Sequence, residues 1–276
     1  VLPRSPHVPL AVIPLALAIG LALGALGGGG SILAVPALVH VLGQDPVTAT
    51  TSSLIIVGIT SLLSLPDHHR GGRVRFGQGL TFGLLGTAGS VAGSAASRLV
   101  PPELLMTVFA ALMVVVGTLM LRRSRRGSVA GAEGDPDEPI LTLHPLTCAC
   151  PRLLKLLTAA TLVGLLTGFL GVGGGFVLVP VLVLVLGFTM PVAVGTSLLV
   201  IAVNSATAFA ARAQQGGGDL DWPLVLGFAG VAVVGSLIGS RIADRLPARA
   251  LSQAFAVLVL VIATFTAVHS VPAILT

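Results

Sequence analysis

Two glycine-rich stretches hold the residues best suited to a ligand: Gly27-Gly28-Gly29-Gly30-Ser31 and Gly171-Val172-Gly173-Gly174-Gly175. Each precedes a short apolar run, so each reads as a helix that starts inside a hydrophobic segment. A helix start leaves N–H groups without intrahelical acceptors and exposes the positive end of the helix dipole. Glycines let a ligand approach that backbone closely, and the combination suits an anion. Hydroxyls follow at the next predicted helix start, Thr51, Ser52 and Ser53 in one stretch and Thr196 and Ser197 in the other. Asn204 lies one or two turns deeper, where it aligns with Thr60. Hydroxyl and backbone donors without a fixed counter-charge hold an anion reversibly, as transport requires. The candidate substrate-binding set is therefore Gly27, Gly29, Gly30, Ser31, Thr51, Ser52, Ser53, Gly171, Gly173, Gly174, Gly175, Thr196, Ser197 and Asn204. A plainer role exists for each element. Glycines also serve helix crossing, and hydroxyls also bond back to their own backbone. Two clusters at corresponding positions favour a binding site.

Other chemistries find less support. Gly24 through Ser31 lacks the lysine of a phosphate-binding loop and follows an apolar run rather than a strand. The sequence holds neither His-Glu-x-x-His nor a nucleophile elbow, so no enzyme is expected. Cys148 and Cys150 have no second pair at metal-ligand spacing, and His144 alone does not complete a site, so neither metal nor cofactor is expected. No Asp or Glu falls within an apolar run away from its ends, so the buried relay common in proton-driven carriers is missing. His40 reads as an interfacial residue and Arg98 as a helix end.

The elements that would position these residues are duplicated. Gly20 to Leu54 returns as Gly164 to Leu198, a shift of 144 positions. Identical pairs include Gly24/Gly168, Gly27/Gly171, Pro36/Pro180, Gly43/Gly187, Ala49/Ala193 and Ser53/Ser197. The repeat resumes with a shift of 146, where Gly89-Ser90 and Gly93-Ser94 match Gly235-Ser236 and Gly239-Ser240. Interrupted hydrophobic segments at matching places in two halves point to a carrier's substrate site. The Gly-x-x-x-Gly spacings suit either internal helix packing or a dimer face. Internal packing is the favoured reading, with a homo-oligomer kept open.

Composition agrees. The chain is 54% hydrophobic and 9% charged, with a mean hydropathy of +1.03, whereas soluble domains carry roughly 25% charged residues. The net charge of +5 resides in short loops between apolar runs, which is topological and argues against a nucleic-acid partner. Lipid is the expected surrounding. Apolar runs fall at about Val8–Leu26, Ile32–Leu42, Val47–Leu65, Gly77–Ala96 and Leu104–Leu121. The same order returns at Leu153–Leu170, Phe176–Leu186, Pro191–Ala211, Pro223–Ile242 and Ala250–Val268. The second run of each set is too short to cross a bilayer unaided and reads as a broken or re-entrant helix. Arg4 before the first run resembles a signal peptide, but that run carries half of the repeat and is read as the first transmembrane helix.

The expected fold is all-α: a polytopic transmembrane helical bundle of two homologous repeats. Residues 1–121 form the first repeat, 122–151 a cytoplasmic linker and 152–276 the second repeat. Arg70, Arg73 and Arg75, and the linker arginines Arg122, Arg123, Arg125 and Arg126, mark the cytoplasmic face. In the second half the basic loop is the next one along, with Arg241, Arg245 and Arg249. That swap predicts five segments per repeat in inverted orientation, with both termini outside. A re-entrant short segment would instead give four and a parallel repeat.

These residues resemble the TauE/SafE family of membrane permeases. The pattern is Gly-x-Gly-Gly-Gly, a Val-Pro shortly after, then Gly and Thr-Ser-Leu. The second half carries it at Gly171, Gly173, Gly174, Gly175, Val179, Pro180, Gly187, Gly195, Thr196, Ser197 and Leu198. The first half departs at Ser31 and at Ser52-Ser53. The resemblance implies a multi-pass carrier in a bacterial plasma membrane that exports small sulfur-containing anions such as sulfite or organosulfonates. A carrier or pore for another small solute, or a membrane scaffold or sensor, remains the alternative.

Overall fold

The computed structural model describes residues 12–97, 102–125, 150–170, 175–213 and 220–270. Among these the chain is helical, in the order α1 (Val12–Leu26), α2 (Gly29–His40), α3 (Pro46–Arg70), α4 (Phe76–Ser97) and α5 (Pro102–Arg125). There follow α6 (Cys150–Leu170), α7 (Gly175–Leu184), α8 (Met190–Ala213), α9 (Trp222–Arg245) and α10 (Ala248–Ser270). Prolines stand in the first turn of several helices, where their missing N–H has no intrahelical acceptor to lose. Pro46 and Pro102 open α3 and α5, and Pro223 follows the Asp221 cap of α9, whose carboxylate accepts from the Leu224 amide at 3.2 Å.

Within the described residues Thr48–Arg70, Met190–Ala210, Trp222–Arg245 and Ala248–Phe265 are long and apolar enough to cross a membrane. Large apolar side chains such as Leu84, Val91, Leu162, Leu226, Val234 and Val261 point outward. An outward-facing apolar surface on self-satisfied helices suits lipid. This is an all-α integral membrane protein.

The short segments are helices of 12 and 10 residues. At 1.5 Å per residue the longer spans about 18 Å, well short of a ~30 Å hydrocarbon core. Both end in the same way. Gly43 and Gly187 take φ of 62° and 73°, in the left-handed region that glycine enters without a Cβ penalty. Beyond them Gln44 N donates to Leu38 O at 3.1 Å, and Phe188 N donates to Leu182 O at 2.9 Å. The two halves thus repeat in hydrogen bonding as well as in residues.

Packing between the halves is reciprocal. α1 packs on α9 and α4 on α6, while α3 meets α8, α5 meets α10, and α2 meets α7. Exchanging each helix for its repeat equivalent leaves this set unchanged. The correspondence reaches single residues: a Cβ on Gly20 would strike the Ala232 backbone, and one on Gly164 would strike that of Gly86. Gly235 lies against Leu17 and Leu21, while its equivalent Gly89 lies against Thr161 and Leu165. Gly89, Gly235 and Gly239 therefore serve helix packing within the chain.

The same neighbours give the helix directions. α1 runs with α9, since Gly20 meets Ala232 and Gly24 meets Ser236. α3 also runs with α9, through Ser64 to Ser236 at 2.7 Å and Asp67 to Ser240 at 3.3 Å. α4 runs with α8, Gly79 facing Leu199 and Gly83 facing Val203. α3 runs against α8: Gly58 meets Ser205, while His68 shares a cavity with Pro191 and Val194.

Several helix ends differ from the apolar runs. α3 continues through Pro66 to Arg70, and α9 continues past Ile242 to Arg245. Asp67, His68 and Asp244 consequently belong to helices, although they lie beyond the ends of the apolar runs. Hydropathy ends a run at the first polar residue, whereas the backbone ladder continues until a cap stops it. α5 likewise extends through Arg125, and α6 begins at Cys150. Residues 126–149, with Cys148 and most of the predicted linker, lie outside the described residues, as do Arg98 and the side chain of His40.

Candidate functional site

The two short helices begin against one another. Gly27 turns the chain from α1 into α2 with φ 65°, a value that makes any larger residue strained there. A Cβ on Gly28 would overlap the Gly175 carbonyl at the start of α7, and one on Gly175 would lie 2.5 Å from Ser31 Oγ. A Cβ on Gly27 would lie 2.5 Å from Ser197 Oγ and 3.2 Å from the Val194 backbone. The α1–α2 turn, both short-helix starts and the second turn of α8 therefore meet at one place. Gly27, Ser31, Gly175 and Ser197 are brought together there, with Gly29 and Gly30 in the opening turn of α2. Gly171, Gly173 and Gly174 lie outside the described residues.

This junction is buried and dense. Ser31, Ser197, Phe176 and Val194 are buried, and Phe109 of α5 stacks edge-on against Phe176 at 5.3 Å. Ser31 Oγ donates to Gly28 O at 2.7 Å and Ser197 Oγ to Val194 O at 2.8 Å. The equivalent Ser53 Oγ donates to Thr50 O at 2.9 Å. Each hydroxyl proton is thus held on a carbonyl three residues back, and the oxygen lone pairs remain available. Gly30 N and Ser31 N donate to Gly27 O and Gly28 O at 3.3 Å, so a ligand anion would displace these long bonds or draw on the hydroxyls after they rotate.

The remaining candidates separate from this point. Thr196 Oγ1 accepts from the Arg75 amide at 3.2 Å, so it secures the connection between α3 and α4. Its neighbour Ser197 points to Gly27 because adjacent helical residues are turned by about 100°. Thr51 and Ser52 are buried early in α3, and Ser52 Oγ has no hydrogen-bond partner among the described residues. Asn204 Oδ1 accepts from Thr87 Oγ1 at 3.3 Å, beside Gly86, which places it in the contact of α8 with α4.

A polar group that hydropathy did not reveal lies beside the junction. His68 is 1% exposed, and neither ring nitrogen reaches hydrogen-bond geometry, although the Gly24 carbonyl is near. It lines a cavity of about 120 Å³ with Arg73, Pro191, Val194, Ala243, Asp244, Leu246 and Leu251. Arg73 and Asp244 form an ion pair across the two halves. The signal in the sequence is the polar run Asp67-His68-His69-Arg70 directly after an apolar run.

A family model for the sulfite exporter TauE/SafE matches residues 12–266. A probable membrane transporter protein of Xylella fastidiosa (strain Temecula1) is 32% identical over 251 residues, covering 90% of each chain. The probable membrane transporter protein YunE of Bacillus subtilis (strain 168) is 25% identical over 266 residues, covering 91% of this chain and 94% of its own. No solved structure matches the chain. With the doubled glycine motif, the order of the ten helices among the described residues and a match over nearly the whole described length, the chain belongs to the sulfite exporter TauE/SafE family and is a membrane transporter.

Proposed function

We propose that this protein is a secondary carrier that exports small sulfur-containing anions, such as sulfite or short organosulfonates, across a bacterial plasma membrane. The observation that carries the reading is the abutment of Gly27–Ser31 with Gly175, where two helices start in the buried interior. Opposed helix starts direct backbone N–H groups and positive dipole ends to one region without a fixed cation. That arrangement favours an anion bound weakly enough to leave. The family description names sulfite export, which supports this substrate class and direction.

The repeats are read here as inverted. Support comes from the helix directions: α1 and α3 run with α9, while α4 runs with α8 and against that group. α3 and α4 then oppose their repeat equivalents α8 and α9, and in an inverted pair rocking of one half against the other exposes a central site alternately to each face.

A second reading, a carrier for a neutral hydrogen-bonding solute, is favoured by the lone pairs that Ser31, Ser53 and Ser197 leave available. Proteoliposome flux decides between them. Saturable sulfite or sulfonate flux that is lost in Ser197→Ala supports the anion carrier. Flux of neutral solutes alone, with the protein folded and inserted, would replace it with the second reading.

A further inference from the structure

We propose that His68, Arg73 and Asp244 form a proton-binding site of this carrier, with His68 as the acceptor and the Arg73–Asp244 ion pair as the contact that the proton loosens. The coupling to transport rests on the carrier reading above, but the proton site itself stands on separate geometry.

His68 is the one titratable side chain that is buried among the described residues. Burying an imidazole with both nitrogens unpartnered is unfavourable unless something else repays it. Histidine is also the side chain that changes charge near neutral pH. Every element around the ring contributes a known neighbour. The α3–α4 connection supplies Arg73, α9 supplies Asp244, and the ring's own helix supplies Asp67, whose carboxylate accepts from Ser240. α8 and α10 bring Pro191, Val194 and Leu251, and α1 brings the Gly24 backbone, none of them titratable. Asp244 is thus the acid that a protonated His68 would share with Arg73.

Sharing has a mechanical consequence. The ion pair ties the first half to the second, and its members are 21% and 42% exposed, so protons reach the cavity from that face. A proton on His68 repels Arg73 and competes for Asp244, which weakens the tie. By reciprocity, parting of the tie frees Asp244 and favours the proton. Val194 carries the event inward. It lines the His68 cavity, its backbone lies against Gly27, and its carbonyl accepts from Ser197. The proton site and the glycine junction therefore share one turn of α8.

The test uses the full chain in proteoliposomes, with Cys148→Ser and Cys150→Ser and a reporter Ala243→Cys at the cavity wall. A membrane-impermeant thiol reagent is applied at about pH 5.5 and about pH 8, and labelling rates are expressed relative to His68→Gln so that thiolate chemistry cancels. The expected result is a relative rate several-fold higher at the acid pH. Equal ratios at both pH values would overturn the proposal. If His68→Gln does not fold, Asp244→Asn replaces it as the reference: removing the tie should give fast, pH-independent labelling after normalisation to a free-thiol standard. Retention of the native pH dependence in that variant would also overturn the proposal. Sulfite uptake with and without a pH gradient forms the second arm, and the gradient's stimulation should vanish in His68→Gln. A native protein that moves no sulfite at either pH would remove the anion reading, while the labelling arm would still decide the proton site.

Discussion

Gly28 and Gly175 touch backbone to backbone, although they belong to different halves of the chain. The contact exists because neither residue carries a Cβ: one on Gly28 would occupy the place of the Gly175 carbonyl. Backbone cannot move aside as a flexible side chain can. The junction of the two short helices therefore requires glycine for its geometry, whatever it binds.

Gly28→Ala is expected to destabilise the protein by about 2–3 kcal/mol, the scale of overpacking in a filled interior. Gly227→Ala and Gly230→Ala, in α9 with open space around them, should be neutral or stabilising by up to ~1 kcal/mol. Thermal unfolding of the purified variants in detergent checks the contrast. Equal midpoints for Gly28→Ala and Gly227→Ala would show that the two helix starts do not meet.

Ser197 and Thr196 should part in their effects. Ser197 faces Gly27, so Ser197→Ala should reduce the initial rate of sulfite flux tenfold or more with little loss of folded protein. Thr196 holds the Arg75 amide, so Thr196→Val should lower stability by about 1 kcal/mol, a half-buried N–H losing this acceptor. Its KM should change little. Flux kinetics measured beside unfolding midpoints separate these outcomes, and the reverse pattern would move the site toward Thr196.

Gly43 and Gly187 hold the same left-handed turn after α2 and α7. Replacement of either by Ala should cost about 1–2 kcal/mol, from the backbone alone, since nothing lies near a Cβ at either place. Near-equal shifts in unfolding midpoint are expected. A shift at one position only would mean that the two turns are not equivalent in solution.

Val41 and Val185 are equivalent positions on those turns, 53% and 50% exposed. If the repeats are inverted, cysteines placed there singly label from opposite faces of the membrane. Impermeant maleimide applied to right-side-out and inside-out vesicles reads the result. Labelling of both from one face would require parallel repeats.

Asp244→Asn and Arg73→Ala should couple. Both side chains are partly exposed, so the pair is worth about 1 kcal/mol or less and weakens with salt. A double-mutant cycle on the unfolding midpoint at low and high ionic strength measures it. Absence of coupling at low salt would mean that the tie between the halves does not form in solution.

Much of this architecture was legible in order of residues alone. The 144-residue shift between Gly20–Leu54 and Gly164–Leu198, the two short apolar runs and the sparse charge led to ten segments in two matching sets, and α1 to α10 follow that order. The glycine clusters were legible because conformational freedom and close approach are properties of residue type. Helix ends were less so, since Pro66 and the polar run beyond it read as a stop, yet α3 continues to Arg70 with its last turn packed against α9.

Local chemistry thus determined the helices, the repeat, the membrane setting and the candidate glycines and hydroxyls, because periodicity, hydropathy and missing Cβ atoms act within a few residues. Tertiary structure decided which of those groups meet. Ser197 reaches Gly27 while Thr196 turns to Arg75, a division set by helix rotation against neighbours far away in the chain. It also placed His68 in a cavity with Arg73 and Asp244. That grouping depends on contacts between the end of α3 and the end of α9, such as Asp67 with Ser240, 173 positions apart, and no local pattern encodes it.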